Sequence, residues 1–323
     1  MRRALVTGAA GQIGTELVQA LRAELGSDRI LATDLREPDA DHPVVAGGPF
    51  QRLDCTDGDA MTRVTGSFGP DVVFHLAAIL SAVGEAHPEK AYAVNMGGLV
   101  QVLEAARTNG YAVFTPSSIA AFGPGTPPDP TPQDTIQRPN TMYGVTKVAG
   151  ELLCDYYHHR FGVDTRGLRY PGLISYSAPP GGGTTDYAVE IFHAALENGS
   201  YSCFLAPETQ LDMMYMPDAV RAAMELMEAD PTRLRHRNAF NITAMQLTPA
   251  QLAQALQARI PGFAVTYDPD PVRQAIADSW PRRLDDSAAR EEWDWAPAYG
   301  LDEMVDDMLA HLGHPHTVDV PSG

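Results

Sequence analysis

Tyr143 and Lys147 stand four residues apart in "YGVTK", at the start of a run to Phe161 that reads as one long helix. On a helix that spacing sends both side chains out from one face. A lysine ammonium beside a phenol favours the phenolate, so Tyr143 is a candidate general base able to take a proton from an alcohol. Ser118 lies just past a predicted strand, Ala112 to Pro116, and its hydroxyl can hydrogen-bond a reacting oxygen. An isolated Tyr-x-x-x-Lys is more often a surface or packing pair. Here the surrounding elements decide for chemistry.

The first fifty residues supply those elements. Ala4 to Thr7 reads as a short apolar strand, followed at once by Gly8-Ala9-Ala10-Gly11-Gln12-Ile13-Gly14 and an amphipathic run from Thr15 to Leu25. In a strand–turn–helix unit the first glycine permits the tight turn and the middle one lets a pyrophosphate approach the backbone. The last lets helix and strand pack closely, with the phosphates on the helix N-terminus. Gly8, Gly11, Gln12, Ile13 and Gly14 are therefore expected to hold a dinucleotide. A second strand, Ile30 to Thr33, ends at Asp34, where a carboxylate can accept hydrogen bonds from the adenosine ribose hydroxyls. That favours NAD over NADP. Arg36 could welcome a 2′-phosphate, but Asp34 should repel one.

Strands and helices keep alternating: strands at Phe50 to Asp54, Val72 to Leu76, Ala112 to Pro116 and Thr165 to Tyr170, helices at Pro88 to Arg107 and Tyr143 to Phe161. This rhythm predicts an α/β fold, a doubly wound parallel (Rossmann) sheet, with Ser118 at the strand end where such sheets place their ligands. Gly123 to Asn140, rich in Pro, Thr and Asp, is expected to be a loop near the active site. After Pro171 the pattern becomes irregular, with helices at 187–196 and 249–258 and a strand at 263–267. Residues 1–172, with 211–243 returning, are expected to form the NAD-binding domain. Residues 173–210 and 244–323 are expected to form a smaller, discontinuous substrate-binding lobe.

Composition narrows the partners. The 323 residues are 44% apolar, enough for a sizeable core. No stretch reaches the roughly 20 apolar residues of a membrane span, and the N-terminus shows no signal peptide. A net charge of −18 argues against a polyanionic partner such as nucleic acid and for a small-molecule ligand. Cys55, Cys154 and Cys203 are far apart and lack a CxxC spacing, so neither a disulfide framework nor a zinc site is expected, and the cytoplasm fits best. His158, His159, His311, His314 and His316 are read as solvated residues and not metal ligands. Asp285-Asp286 and "REEWDW" are read as a solvated helix face.

The glycine motif, Ser118 and Tyr143-Gly-Val-Thr-Lys147 together resemble the extended short-chain dehydrogenase/reductases, over nearly the whole chain. More narrowly, "PSSIAAFG" (116–123), "RYPGLISYSAPPGGGTTDYAVEIF" (169–192), "MMYMPDAVRAAMELM" (213–227) and "RQAIADSWPRRLDDSAAR" (273–290) resemble the NAD-dependent L-threonine 3-dehydrogenases of the epimerase-like type. Many of these carry threonine at the position of Ser118, which preserves the hydroxyl. Sugar-nucleotide epimerases usually carry Tyr-Gly where this chain has Phe122-Gly123.

The resemblance implies metal-free oxidation of L-threonine by NAD, with Ser118, Tyr143 and Lys147 catalytic. It places Leu35, Leu53 and Asp54 near the adenosine end, and Leu76, Ala77, Ala78, Asn95, Tyr170 and Gly172 along the cofactor. It also decides the role of "PGGGTTDYA": composition supports an ordinary capped helix start equally well, whereas the resemblance gives the amides of Gly183, Thr184 and Thr185 to the substrate carboxylate. Ser81 and Trp280 are expected to close the pocket, and the long helices to pair two subunits into a homodimer. A sugar-nucleotide epimerase or dehydratase, and a non-catalytic NAD-binding regulator, are the alternatives.

Overall fold

The computed structural model describes residues 1–177 and 183–313, except the side chain of Ala82. Its first half alternates β1 (Ala4–Thr7), α1 (Gln12–Leu25), β2 (Ile30–Asp34), α2 (Pro43–Ala46), β3 (Phe50–Arg52), α3 (Gly58–Phe68), β4 (Val72–His75), α4 (Ser81–Ala86), α5 (Pro88–Asn109), β5 (Ala112–Ser118), α6 (Met142–Phe161) and β6 (Thr165–Tyr170). There follow β7 (Gly172–Ile174), α7 (Tyr187–Glu197), β8 (Ser200–Cys203), β9 (Leu211–Tyr215), α8 (Met216–Glu228), β10 (Phe240–Asn241), β11 (Met245–Leu247), α9 (Pro249–Arg259), β12 (Ala264–Tyr267), α10 (Pro271–Asp278), α11 (Ser287–Trp293) and α12 (Leu301–His311).

Seven strands form one parallel sheet in the order β10-β6-β5-β4-β1-β2-β3. The direction of winding reverses between β1 and β4, which opens a crease at the C-terminal strand ends. Alternation along β1 explains how both faces are covered. Ala4 and Val6 pack with Leu17 and Leu21 of α1 and with Ala219 and Leu226 of α8, while Leu5 faces Met61 of α3 and Val102 of α5. A separate core joins Ile174, Tyr187, Phe192, Met213, Leu252 and Met308. It lies around the small sheet β11-β9-β7.

Three local differences from the predicted elements matter for the site. β5 runs two residues further than expected, because Ser117 and Ser118 pair in register with Arg169 and Tyr170 of β6. Ser118 is thus the last strand residue and not the first beyond it. Helix α1 begins at Gln12 and not at Thr15, so Gln12 to Gly14 of the glycine motif are the helix's own first turn, with Gly11 as N-cap. The expected solvated face at the C-terminal acidic run is only half solvated: Arg290, Glu291 and Asp294 are exposed, whereas Asp286, Glu292, Trp293 and Trp295 are buried. Glu292 is buried and accepts the backbone N–H of His236 at 3.2 Å, while Trp293 and Trp295 pack into the core beneath β10.

Candidate active site

The turn after β1 brings the start of α1 close against the strand ends. Gly8 has φ +67°, and a Cβ there would stand 2.7 Å from the backbone nitrogen of Ala77 and 2.8 Å from its Cα. A Cβ on Gly14 would stand 2.8 Å from the Cα of Ala9. Helix α1 can therefore start directly against the turn, presenting the amides of Gln12, Ile13 and Gly14, whose first-turn N–H groups have no partner within the helix. Asp34 ends β2 and its Oδ2 accepts the Ala10 N–H at 3.1 Å. The next strand joins through the Leu53 N–H, which donates to the Asp34 carbonyl at 2.8 Å. Leu35 and Arg36 are exposed beside it, and Arg52 Nε donates to the Leu35 carbonyl at 3.0 Å. Asp54 accepts the hydroxyl of Thr56 at 2.7 Å. These residues line the same sheet edge and fit the adenosine and pyrophosphate of NAD.

The loop after β4 carries Leu76, Ala77 and Ala78 across the crease, and Asn95 holds it. The Asn95 side chain accepts the Ile79 N–H at 2.7 Å and donates to the Ile79 carbonyl at 3.0 Å and to Thr146 Oγ1 at 3.1 Å. Thr146 in turn donates to the Tyr143 carbonyl at 2.8 Å. One hydrogen-bonded path thus connects the loop to the helix of the candidate base. His75, at the end of β4, bonds Thr7 Oγ1 through Nδ1 at 2.8 Å. Burial, with the nearby Lys147 ammonium, pushes its pKa down to about 3. A neutral, enclosed imidazole is a structural brace and not an acid or base here.

Helix α6, which carries Tyr143 and Lys147, packs against the end of β5, which carries Ser118. Thr141 caps the helix by accepting the Gly144 N–H at 3.1 Å, and Glu85 at the end of α4 accepts the Met142 N–H at 2.6 Å. Gly144 permits the crossing, since a Cβ there would stand 2.5 Å from Pro139 Cβ. The Lys147 ammonium donates to the Pro116 carbonyl at 2.6 Å and lies 5.2 Å from the centre of the Tyr143 ring. Ser118 Oγ accepts the Ala120 N–H at 3.2 Å, which turns the chain out of the strand and keeps the hydroxyl half-buried.

On the lobe side, the Gly172 backbone packs on Thr185, whose methyl would stand 2.7 Å from a Cβ. Tyr170 is buried in the sheet core with its hydroxyl on the Ala219 carbonyl at 2.7 Å, leaving its backbone to face the crease. The Gly183 N–H is donated to Asp186 Oδ2 at 2.6 Å, so this amide, expected to face the substrate carboxylate, is instead taken up at the start of α7, and Thr184 is buried. Pro180, Gly181 and Gly182 of the same motif lie outside the described residues. Ser81 opens α4, the helix whose far end Glu85 fixes to α6. Trp280 packs on Ile119, Phe122 and Leu284, directly beside the turn after Ser118.

Asp212 anchors that Trp280 segment, a part that sequence reasoning did not reach. It is buried on β9 and accepts the Leu284 N–H at 2.7 Å and the Thr243 hydroxyl at 2.6 Å. Burial pushes its pKa up to about 7. The folded chain therefore retains a proton that the unfolded chain releases, and this stabilisation is full below the ordinary carboxylate pKa and lost as pH rises through 7. Asp212→Asn, which does not titrate, is expected to gain on the parent by about 3 kcal/mol between pH 5 and pH 8. Urea unfolding at the two pH values checks this, and an unchanged gap would refute it.

Also missed was a buried network below Ser118, built on Glu151 and Arg169. The histidines divide: His158 bonds the Val163 carbonyl at 3.0 Å, His311 stacks on Tyr176 at 3.9 Å, and His314 and His316 lie outside the described residues. His311 nevertheless stays exposed at the end of α12, in keeping with the solvated reading, and its ring rests on Tyr176 from one side. Among the described residues no group of three or more His, Cys, Asp or Glu is placed to hold a metal. A cleft of about 640 Å³ between α1 and α8, lined by residues such as Gln19, Tyr176 and Met224, includes none of the expected site residues.

A sequence profile described as the NAD dependent epimerase/dehydratase family matches residues 4–243. The chain belongs to that family. An uncharacterized epimerase/dehydratase of Staphylococcus haemolyticus (strain JCSC1435) is 54% identical over 309 residues, 96% of this chain and 97% of that protein. The crystal structure of L-threonine dehydrogenase from Clostridium difficile is 53% identical, with a TM-score of 0.95 over 97% of this chain and 98% of that one. The holo form of a GalE-like L-threonine dehydrogenase from Cupriavidus necator is 49% identical, with a TM-score of 0.92 over 96% and 100%. The resemblance drawn from the sequence motifs thus extends over nearly the full length of this epimerase/dehydratase family member.

Proposed function

We propose that this protein oxidises the β-hydroxyl of L-threonine, with NAD as cofactor, to give 2-amino-3-ketobutyrate. The observation that carries the reading is the crossing of α6 over the end of β5. Lys147 there bonds the carbonyl two residues before Ser118, and the turn after β1 has glycines where a Cβ would clash, which supports a tyrosine–lysine–serine site beside a dinucleotide. The close likeness to L-threonine dehydrogenases supports the choice of substrate.

NAD, when bound, supplies the hydride acceptor for the alcohol carbon. Gly8, Gly11, Gln12, Ile13, Gly14 and Asp34 hold its phosphates and adenosine ribose, and Leu76 to Ala78, Asn95, Tyr170 and Gly172 enclose the rest. Ser118 Oγ orients the β-hydroxyl oxygen and Tyr143 takes its proton. Lys147 stabilises the deprotonated phenol by charge and hydrogen-bonds the nicotinamide ribose. The amides of Thr184 and Thr185 receive the substrate carboxylate at the start of α7, with Gly183 shaping the turn through its bond to Asp186. Ser81 and Trp280 close the pocket and limit water.

Separate assays following NADH absorbance with L-threonine, D-threonine, L-allo-threonine and UDP-galactose test the reading. NADH formation from L-threonine and NAD is the expected result; silence there, with NAD binding intact in a thermal-shift assay, refutes it.

The same proposal places the protein in the cytoplasm, consistent with three free, buried cysteines, and as a homodimer. No helix among the described residues is long and apolar enough to cross a membrane. Tyr92 on α5 and Val145, Leu152 and Tyr156 on α6 are exposed large apolar or aromatic residues on adjacent helices, a face that a second copy would cover. Light scattering is expected to give twice the chain mass, and Leu152→Glu to halve it. A monomeric parent would remove the dimer from the proposal.

A further inference from the structure

Tyr143, Lys147 and Glu151 recur every four residues along α6 and so stand in a row on one side of it. The first two belong to the site already described. The third is buried beneath it, and every bond it makes leads to an element that frames the site. Glu151 Oε1 accepts the Ser117 hydroxyl. Arg169 of β6, the register partner of Ser117, grips both carboxylate oxygens at 3.0 and 2.8 Å. Gln137, from the loop that follows Gly123, donates to Oε2 at 2.9 Å. Arg169 also reaches the Gln133 carbonyl at 2.8 Å and Asn241 Oδ1 on β10 at 3.1 Å, so the same pair fixes the loop and the sheet edge.

The consequence is positional. Pro116 and Ser117 are consecutive residues of β5, and each is held by α6 through side chains one helical turn apart, Lys147 and Glu151. Ser118 is the next residue and ends the strand. Two successive anchors leave the strand end little freedom to slide or rotate against the helix that carries Tyr143. An ion pair is costly to bury and needs complete hydrogen bonding, which this one receives from Ser117, Gln137, the Gln133 carbonyl and Asn241. A well-packed apolar pair would stabilise the core as well, but could not fix the strand end by direction.

We propose that Glu151, with Arg169 as its fixed counter-ion, is a positioning residue that sets Ser118 against Tyr143 through the Ser117 hydroxyl. The proposal rests on the site assignment above. It extends that assignment to a side chain that need not touch substrate or cofactor.

The full-length protein carrying Ser117→Ala tests it with least disturbance, and Glu151→Gln tests it at the carboxylate. Ser117→Ala is expected to lower kcat about tenfold, because small misplacements of reacting groups are expensive in rate. KM for L-threonine and the dissociation constant of NAD should stay close to the parent's, while the melting temperature falls by a few degrees because the buried carboxylate loses one hydrogen bond. Glu151→Gln is expected to lower kcat about a hundredfold while retaining NAD binding. In crystal structures of the parent and Ser117→Ala, the Ser118 Oγ to Tyr143 Oη separation should change by about 0.5 Å or more. A merely structural role would lower the melting temperature alone and leave kcat unchanged well below it. Parent-like kcat in Ser117→Ala overturns the proposal, as does an unmoved Ser118. A parent inactive on L-threonine refutes the proposed function, and the crystallographic comparison still decides the positioning role.

Discussion

Tyr143→Phe is expected to lower kcat for L-threonine about a thousandfold while leaving NAD affinity and thermal stability within a small factor of the parent. The substitution removes one oxygen and retains the ring that lies 5.2 Å from the Lys147 ammonium. Helix α6 is held by contacts that do not involve the phenol. Thr141 caps it, Glu85 receives the Met142 N–H, Lys147 binds the Pro116 carbonyl, and Thr146 links it to Asn95. None of these should move when the hydroxyl is deleted. What disappears is the only proton acceptor assigned to the substrate hydroxyl, and general-base catalysis is commonly worth that much in rate. Steady-state kinetics with an NAD titration measures both quantities. A Tyr143→Phe protein with parent-like kcat would end the assignment of the base, and one that also lost NAD binding would point to a structural role for the phenol.

The scaffold was legible because it depends on short-range rules. A buried parallel strand such as Ala4–Thr7 reads as an apolar run, and a glycine motif between strand and helix has few other uses. The row Tyr143–Lys147 was legible for the same reason, since helical spacing is local. Had the row been extended by one turn it would have reached Glu151, so a signal was present there. What turns Glu151 into more than a helix residue is Arg169 and Asn241, which depend on strand order, and the pairing of β10 with β6 is invisible in a local pattern. Asp212 was hidden similarly, because its partners Thr243 and Leu284 come from distant segments. The acidic stretch around Glu292 misled for the converse reason. Its charges look like a solvent face until the backbone amides of Arg235 and His236 and the indoles of Trp293 and Trp295 enclose it.

Gly8→Ala is expected to weaken NAD binding at least about a hundredfold and to destabilise the fold by about 2–5 kcal/mol. The cost has two independent sources. With φ at +67°, the position lies in the left-handed region, which penalises any Cβ. The added carbon would also meet Ala77 at 2.7 Å from its backbone nitrogen, and a backbone cannot swing aside as a flexible side chain can. Relief requires either the β1–α1 turn to lift or the loop after β4 to retreat. The first tilts the N-terminus of α1 away from the phosphates, and the second displaces Leu76 to Ala78 against the restraint of Asn95 on Ile79. Both movements degrade the cofactor cradle. By contrast, the residues of α6 are remote in sequence and anchored separately, so the variant should remain folded within the usual 5–15 kcal/mol of domain stability. Calorimetric titration with NAD, paired with urea unfolding, separates the two effects. Parent-like affinity in Gly8→Ala would mean that the turn after β1 is not where the phosphates sit, and the cofactor assignment along this edge would fall with it.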